Sequence, residues 1–320
     1  MRAYTEESGY SPNTVAVRGG GDIATGVIQK LWHAGFNVLV LETAFPLTIR
    51  RTVALSSAVS EKVYRVEDMT AALIASPGEC AARWQSGIIP VLVDPWAGCL
   101  DVVRPFAVVD AIIAKRNMGT CRAMAPVTIA LGPGFSAPAN VDCVIETMRG
   151  HYLGSIITNG AAIPNTATPG ALGGKTYERV IHAPASGVIR HIRALGDAVE
   201  KGEPVFAIDD VMVPASLTGT LRGLIAEGLN VRKGLKCADI DPRPAGEVDC
   251  YTISDKARAI GGGVLEACFI KAREKNIALL RARAASPRGC FKINAARERS
   301  HFFSLQGARR KLDEGVLNIR

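Results

Sequence analysis

Residues Val15–Glu42 constrain this chain more than any other stretch. A short apolar run, Val15-Ala16-Val17, leads through Arg18 into three glycines, Gly19-Gly20-Gly21. Ile23, Ala24, Val27, Ile28, Leu31 and Trp32 then recur at helical spacing, and after Gly35 a second apolar run, Val38–Leu41, ends at Glu42. Apolar residues at those intervals line one face of a helix, so the stretch reads strand, glycine turn, helix, strand, acid. Gly19-x-Gly21-x-x-Ala24 has the spacing of a dinucleotide-binding turn: a tight bend, a close backbone approach to a pyrophosphate, and a small residue where helix and strand pack. The new helix offers unpaired N–H groups and roughly half an elementary positive charge to a phosphate. Glu42 follows at about the twenty-residue distance at which an acid holds a ribose hydroxyl. Gly19, Gly20, Gly21, Asp22, Ala24 and Glu42 are therefore the expected contacts to NAD or a related dinucleotide. Arg18 stands where a small or apolar residue is usual, and Asp22 puts a negative charge at the helix start, where it can instead cap the helix.

Apolar runs that end in a polar or glycine residue recur downstream. Ile88–Val93 ends at Asp94, Phe106–Val109 at Asp110, Val127–Leu131 at Gly132-Pro133-Gly134, and Asp142–Ile145 at Glu146. In a parallel, doubly wound sheet, ligands sit outside the carboxyl ends of the strands. Glu42, Asp94, Asp110, Gly132, Gly134 and Glu146 would then gather at one edge. Arg50, Arg51, Lys115 and Arg116 are expected anion contacts there, with Asp110, Lys115 and His151 as candidate acid–base groups. Residues 61–66 read as a short strand, and 67–76 as a helix stopped by Pro77-Gly78. Gly173-Gly174-Lys175-Thr176 imitates the end of a phosphate-binding loop, but Pro169 occupies the first glycine's place, so that reading is set aside.

Residues 181–242 contain an internal repeat. Gly187-Val-Ile-Arg190, Gly196, Val199, Lys201-Gly202 and Ile208-Asp209 recur 32 residues later as Gly219-Thr-Leu-Arg222, Gly228, Val231, Lys233-Gly234 and Ile240-Asp241. Each copy is a set of short strands too small to bury a core alone. Two copies facing each other make a β-sandwich resembling the lipoyl/biotinyl barrel-sandwich hybrid. Its joining hairpin, Ile208–Val213, lacks a lysine, so no covalent arm is expected and the module reads as scaffold or docking surface. Tyr251–Ile253 reads as a strand returning to the first domain, followed by Gly261-Gly262-Gly263 opening an apolar helix.

The net charge of +8 on 320 residues is concentrated at one end. Residues 276–320 hold ten Lys/Arg and three Asp/Glu, leaving the rest near +1. A basic tail alone is a poor footprint for nucleic-acid recognition, so none is expected, and the tail is expected to be loosely ordered. No apolar run is long enough for a membrane span, and the polar Met1–Pro12 does not resemble a signal peptide. Cys80, Cys99, Cys121, Cys143, Cys237, Cys250, Cys268 and Cys290 form no C-x-x-C pair, so no metal site is expected and the thiols read as reduced, in the cytoplasm. Cys121 and Cys143, near strand ends, are read as structural thiols.

The blocks G-G-G-D-I-A-T-G, I-R-R-T-V-A, V-D-A-I-I-A-K-R-N, L-G-P-G-F, E-T-M-R-G-H, L-R-G-L-I, G-L-K-x-A-D-I-D-P-R and I-S-D-K-A-R-A-I-G-G-G-V-L-E-A occur in this order over about residues 14–272. Together they resemble the YqeB-like accessory proteins of the selenium-dependent molybdenum hydroxylase system. The resemblance implies a cytoplasmic maturation factor for xanthine-dehydrogenase-type enzymes, with those enzymes and their maturation proteins as partners. It also implies a Rossmann-type N-terminal domain and the molybdenum pterin cofactor as possible cargo.

The expected fold class is thus α/β. A Rossmann-like parallel-sheet domain spans 14–157 and a barrel-sandwich-like β domain 178–245. A strand and helix at 250–275 return to the first domain, and a basic tail spans 276–320. Three functions fit: an accessory factor gripping a dinucleotide or pyranopterin pyrophosphate at the glycine turn, an NAD-dependent oxidoreductase in cofactor maturation, or a non-catalytic docking module. An oligomer is compatible with each.

Overall fold

The computed structural model describes residues 9–166, 170 and 172–279. The chain opens with β1 (Ser11–Arg18), α1 (Asp22–His33) and β2 (Asn37–Glu42). Then come α2 (Ala58–Glu61), β3 (Val63–Val66), β4 (Met69–Ile74), α3 (Cys80–Gln85), β5 (Ile89–Val93), α4 (Leu100–Val103) and β6 (Pro105–Asp110). The sheet is completed by β7 (Val127–Leu131), β9 (Cys143–Ile145) and β10 (Ile156–Ile157), while β8 (Ser136–Ala137) and β11 (Gly160–Ala161) form a small side ribbon. Among the described residues, nine strands form one sheet in the order β10-β9-β7-β6-β1-β2-β5-β4-β3. From β9 through to β4 every pair is parallel, and only β10 and β3 at the two edges run antiparallel.

Two layers cover this sheet. Successive strand residues point to opposite faces. Val15, Val17, Val38, Val40 and Val109 face α1 and the long helix α5 (Asp255–Glu274). Ala16, Leu39, Leu41 and Val108 face the short helices α3 and α4, with Cys80 and Leu100. Helix α5 lies directly on α1. At their crossing Gly26 meets Ala257, and Gly261 meets the Gly26 carbonyl.

Three expectations are corrected here. Residues 67–76 form not a helix but β4, the second strand of a hairpin whose turn places Glu67 at φ +53°. Met69, Ala71, Ala72 and Ile74 are all buried because β4 is covered on both faces, and such a run has no period to separate strand from helix. The three glycines at 261–263 lie inside α5, which begins earlier, at Asp255, with the Ser254 side chain accepting from the Ala257 amide. Tyr251–Ile253 is correspondingly an irregular lead-in, not a strand, that buries Ile253 in the main core.

The repeat folds at its sequence spacing. Its strands are β13 (Gly187–His191), β14 (Ala198–Val199) and β15 (Pro204–Ile208), matched by β17 (Gly219–Leu224), β18 (Asn230–Val231) and β19 (Lys236–Asp241). With β12 (Val180–His182) and β16 (Val211–Pro214) they make two four-stranded antiparallel sheets, β12-β19-β17-β14 and β16-β15-β13-β18. Each copy therefore lends its middle strand to the other copy's sheet. Ile189, Val205, Phe206, Leu221, Leu224 and Ile240 fill the space between them.

The loop after β2 joins the two parts. Ile49 packs on the second core, its carbonyl accepts from Leu224 N at 2.7 Å, and Arg51 Nε donates to the Leu224 carbonyl at 2.8 Å. The described residues up to 279 belong to one compact unit. The basic tail and Cys290 lie, from residue 280 on, outside the described residues, as does Pro169. Among the described residues no helix is long and apolar enough to cross a membrane.

Candidate anion site at the first glycine turn

The parallel sheet brings the acids that end its strands to one edge, and each is engaged by its own loop. Glu42 Oε2 accepts from Gly20 N and Oε1 from Thr43 N, both at 2.8 Å. Asp94 accepts from Gly98 N at 3.0 Å and Cys99 N at 2.8 Å, and these amides help hold its carboxyl below its usual range against the opposing effect of burial. Asp110 is buried and takes bonds from Ile112 N at 3.2 Å and Thr120 Oγ1 at 2.5 Å, with Arg18 at 3.7 Å. Burial pushes the Asp110 carboxyl up despite those partners. Glu146 accepts from Thr147 N and Met148 N at 2.7 Å and from Ile163 N at 2.8 Å. A charged acceptor makes hydrogen bonds about twice as strong as neutral ones, so these four residues act as loop clamps.

This changes the reading of the turn. Gly19 has φ +97°, and a Cβ there would lie 2.9 Å from the Ala111 carbonyl oxygen, so the loop after β6 demands glycine. Gly134, at φ +108°, is pressed in the same way by the Arg116 backbone, and Gly132 by Thr147. Gly19 N donates to the Leu41 carbonyl at 2.8 Å, and Gly20 N is taken by Glu42. Ser56 N donates to the Gly20 carbonyl at 2.8 Å, laying residues 51–57 against the bend. Two of the three glycine amides are thus engaged by protein. Among the described residues nothing accepts from the amides of Gly21, Asp22, Ile23 and Ala24, the open donors of the first turn of α1.

Cations from four other segments act on Asp22, at the start of α1, or on Asp239, on β19. Arg50, after β2, is 9% exposed, sits 3.5 Å from Asp22, and has no hydrogen-bond partner for its Nε. Burial lowers its pKa, nearby Arg222 lowers it further, and Asp22 and Asp239 oppose both. Lys236 on β19 and Lys256 in the first turn of α5 are each pushed down first by desolvation, and each feels Asp22. Arg179, 7% exposed, pairs with Asp239 at 3.5 Å, and its Nε and Nη1 and the Asp239 Oδ1 have no hydrogen-bond partner. Arg50 thus pairs with Asp22 and Arg179 with Asp239, while Lys236 and Lys256 lie within electrostatic reach of Asp22. Buried arginine N–H groups without partners are costly, and an oxyanion beside a helix N-terminus would satisfy them.

Of the expected anion contacts, Arg50 pairs with Asp22 at this turn and Lys115 lies within electrostatic reach of Lys236. Arg51 faces a separate pocket. Arg116 is exposed in the loop packed on Gly134, and His151 is exposed in the turn after Glu146. Burial raises the Cys143 thiol to about 12, while Cys121 is exposed. Reasoning on local spacing missed Arg179, Lys236 and Lys256. The last two lie inside the matched blocks G-L-K-x-A-D-I-D-P-R and I-S-D-K-A-R, which was the available signal.

Fold and turn together define an α/β protein built on a mostly parallel nine-stranded sheet with small antiparallel sheets attached. No family model matches the chain. It is homologous to the uncharacterized protein YqeB of Escherichia coli, 52% identical over 257 residues, which is 80% of this chain and 47% of that protein. The chain therefore spans about half the length of the curated relative it matches. Solved structures resemble it remotely. One is the product-bound ectoine utilization protein EutE (DoeB) from Ruegeria pomeroyi, with TM-score 0.23 and 13% identity over 71% of this chain and 84% of that one. Another is a succinylglutamate desuccinylase from a Silicibacter species, with TM-score 0.22 and 13% identity over 72% of this chain and 85% of that one. At those scores neither bears on this chain's activity.

Proposed function

We propose that this protein is an accessory factor in the maturation of molybdenum hydroxylases, and that it holds a phosphate-bearing small molecule at the N-terminus of α1. The observation that carries the reading is the set of unpartnered amides at Gly21–Ala24, with the buried, incompletely bonded guanidinium of Arg50 3.5 Å from the Asp22 side chain in the same turn. The strand order β5-β2-β1-β6-β7-β9 supports a Rossmann-like reading of the sheet, because it is the order of dinucleotide-binding folds, with α1 opening at the switch point. The exchanged, 32-residue-spaced strands support a barrel-sandwich reading of the second part. The matched sequence blocks supply the molybdenum-hydroxylase context. The NAD-dependent alternative asks more of the turn, since Glu42 would have to release the Gly20 amide before it reached a ribose.

The test is calorimetric titration of the full chain with pyrophosphate, NAD, NADP, CTP and molybdopterin. Pyrophosphate should bind, and saturation at a hundredfold over Kd should add about 2.7 kcal/mol of stability. The double variant Lys236→Ala, Lys256→Ala should weaken binding at least tenfold. Wild-type protein that takes up none of these ligands would remove the site. Complementation of a deletion strain by wild type but not by the double variant, read as molybdenum-hydroxylase activity, tests the cellular role.

A further inference from the structure

A recess of about 310 Å³ is lined in part by Ser56, whose amide bonds the glycine turn. Its volume is at the lower end of small-molecule sites. It adjoins the anion site: Ser56 Oγ and Thr48 Oγ1, both on its wall, are 3.2 Å apart, and Thr48 Oγ1 lies 3.3 Å from where a Cβ on Gly21 would sit. Phe45, 71% exposed, contributes an aromatic surface.

The polar lining is unusual in one respect. Arg51, Glu61 and Tyr64 all face the recess and feel one another electrostatically, yet Arg51 and Glu61 do not close an ion pair. Arg51 is held by its Nε on the Leu224 carbonyl, which fixes the guanidinium on one wall. Glu61, exposed at the end of the short helix α2 where Lys62 turns the chain at φ +66°, and Glu227 are the carboxylates of the lining, and both act on Arg51. An anchored arginine donor and carboxylate acceptors in one recess, with an exposed aromatic ring in the same lining, suit a planar heterocycle that has a ring N–H beside a ring carbonyl. In such a ligand the N–H would donate to Glu61, the adjacent carbonyl would accept from Arg51, and the ring would lie on Phe45.

We propose that this pocket receives the heterocyclic body of the bound ligand, and that the body carries an amino-oxo edge of the guanine type. The inference rests on the anion-site reading for the placement of the phosphate, but the pocket is tested separately. Full-length protein is titrated with GMP, AMP, guanosine and pyrophosphate. GMP should bind at least tenfold more tightly than AMP or pyrophosphate. Glu61→Gln should cut GMP affinity at least tenfold, with circular dichroism confirming that this exposed position leaves the fold intact. GMP binding no tighter than pyrophosphate, or no tighter than AMP, overturns the pocket assignment and leaves the anion site standing. Guanosine binding that depends on Glu61 in a protein that ignores pyrophosphate upholds the pocket and sinks the anion site.

Discussion

Replacing Gly26 by alanine tests whether the crossing of α1 and α5 sets both stability and anion binding at the start of α1. A Cβ at residue 26 would lie 2.6 Å from the Ala257 carbonyl carbon and oxygen and 2.7 Å from its Cβ. These atoms belong to, or are bonded to, the helix backbone and cannot swing aside. Ordinary contact needs about 3.5–4.0 Å between carbons, so the helices must part by about 1 Å. Alanine returns about 1 kcal/mol of helix propensity. Against that stand overpacking, typically about 1–3 kcal/mol, and the loosened contacts of Ile260 and Val264, both fully buried on this seam. We expect a net loss of about 2 kcal/mol, seen as a lower urea midpoint with an unchanged slope. Gly262→Ala is the matched control: it lies in α5 with nothing within 4 Å of its Cβ position. It should gain up to about 1 kcal/mol. Because Lys256 starts the same helix, Gly26→Ala should also weaken pyrophosphate binding, and Gly262→Ala should not. Gly26→Ala as stable as wild type, or the two variants equally destabilised, would refute the close crossing.

Glu42→Ala removes a carboxylate that accepts from two backbone amides. It should lower the urea midpoint by the equivalent of about 2 kcal/mol while tightening pyrophosphate binding, since it frees the Gly20 amide and deletes a nearby negative charge; weaker NAD binding instead would favour a ribose contact. Arg149, bonded to Asp255 at 2.9 Å and 3.2 Å, is the main reason the Asp255 carboxyl falls to about 2. A depressed folded-state pKa contributes stability above the unfolded value of about 3.9 that is lost as pH falls through about 2, so acid titration of Asp255→Asn should show a shallower loss in that window. The difference should be small because both side chains are largely solvated.

The sheet was legible in the sequence because its cause is local. Val15–Val17 and Val38–Leu41 are uninterrupted apolar runs, and only a strand buried on both faces makes such runs worthwhile. The 32-residue spacing likewise carried over strand for strand, since Gly187 and Gly219 both sit at positive φ beside the aspartates that end their copies, Asp209 and Asp241. Where reasoning failed, the deciding partner was distant. Residues 69–74 looked helical because nothing nearby announces β5 as a neighbour. Gly261–Gly263 looked like the entry to a helix because nothing in 255–274 reveals that the backbones of Gly26 and Gly154 press on Gly261 and Gly263.

The same distance effect governs the site. Spacing alone marked Gly19–Gly21 and Glu42 as ligand contacts, and the acid was placed correctly beside the glycines. Yet a carboxylate close enough to reach a ribose is also close enough to bond the turn itself, and Glu42 does so. Each of the other strand-ending acids meets the same competition from the amides of its own loop, whereas Asp22 pairs with Arg50 and acts on Lys236 and Lys256, all from other segments. A strand-end acid identifies the functional edge of a parallel sheet, but the groups left open to a ligand there are those whose neighbours come from far along the chain.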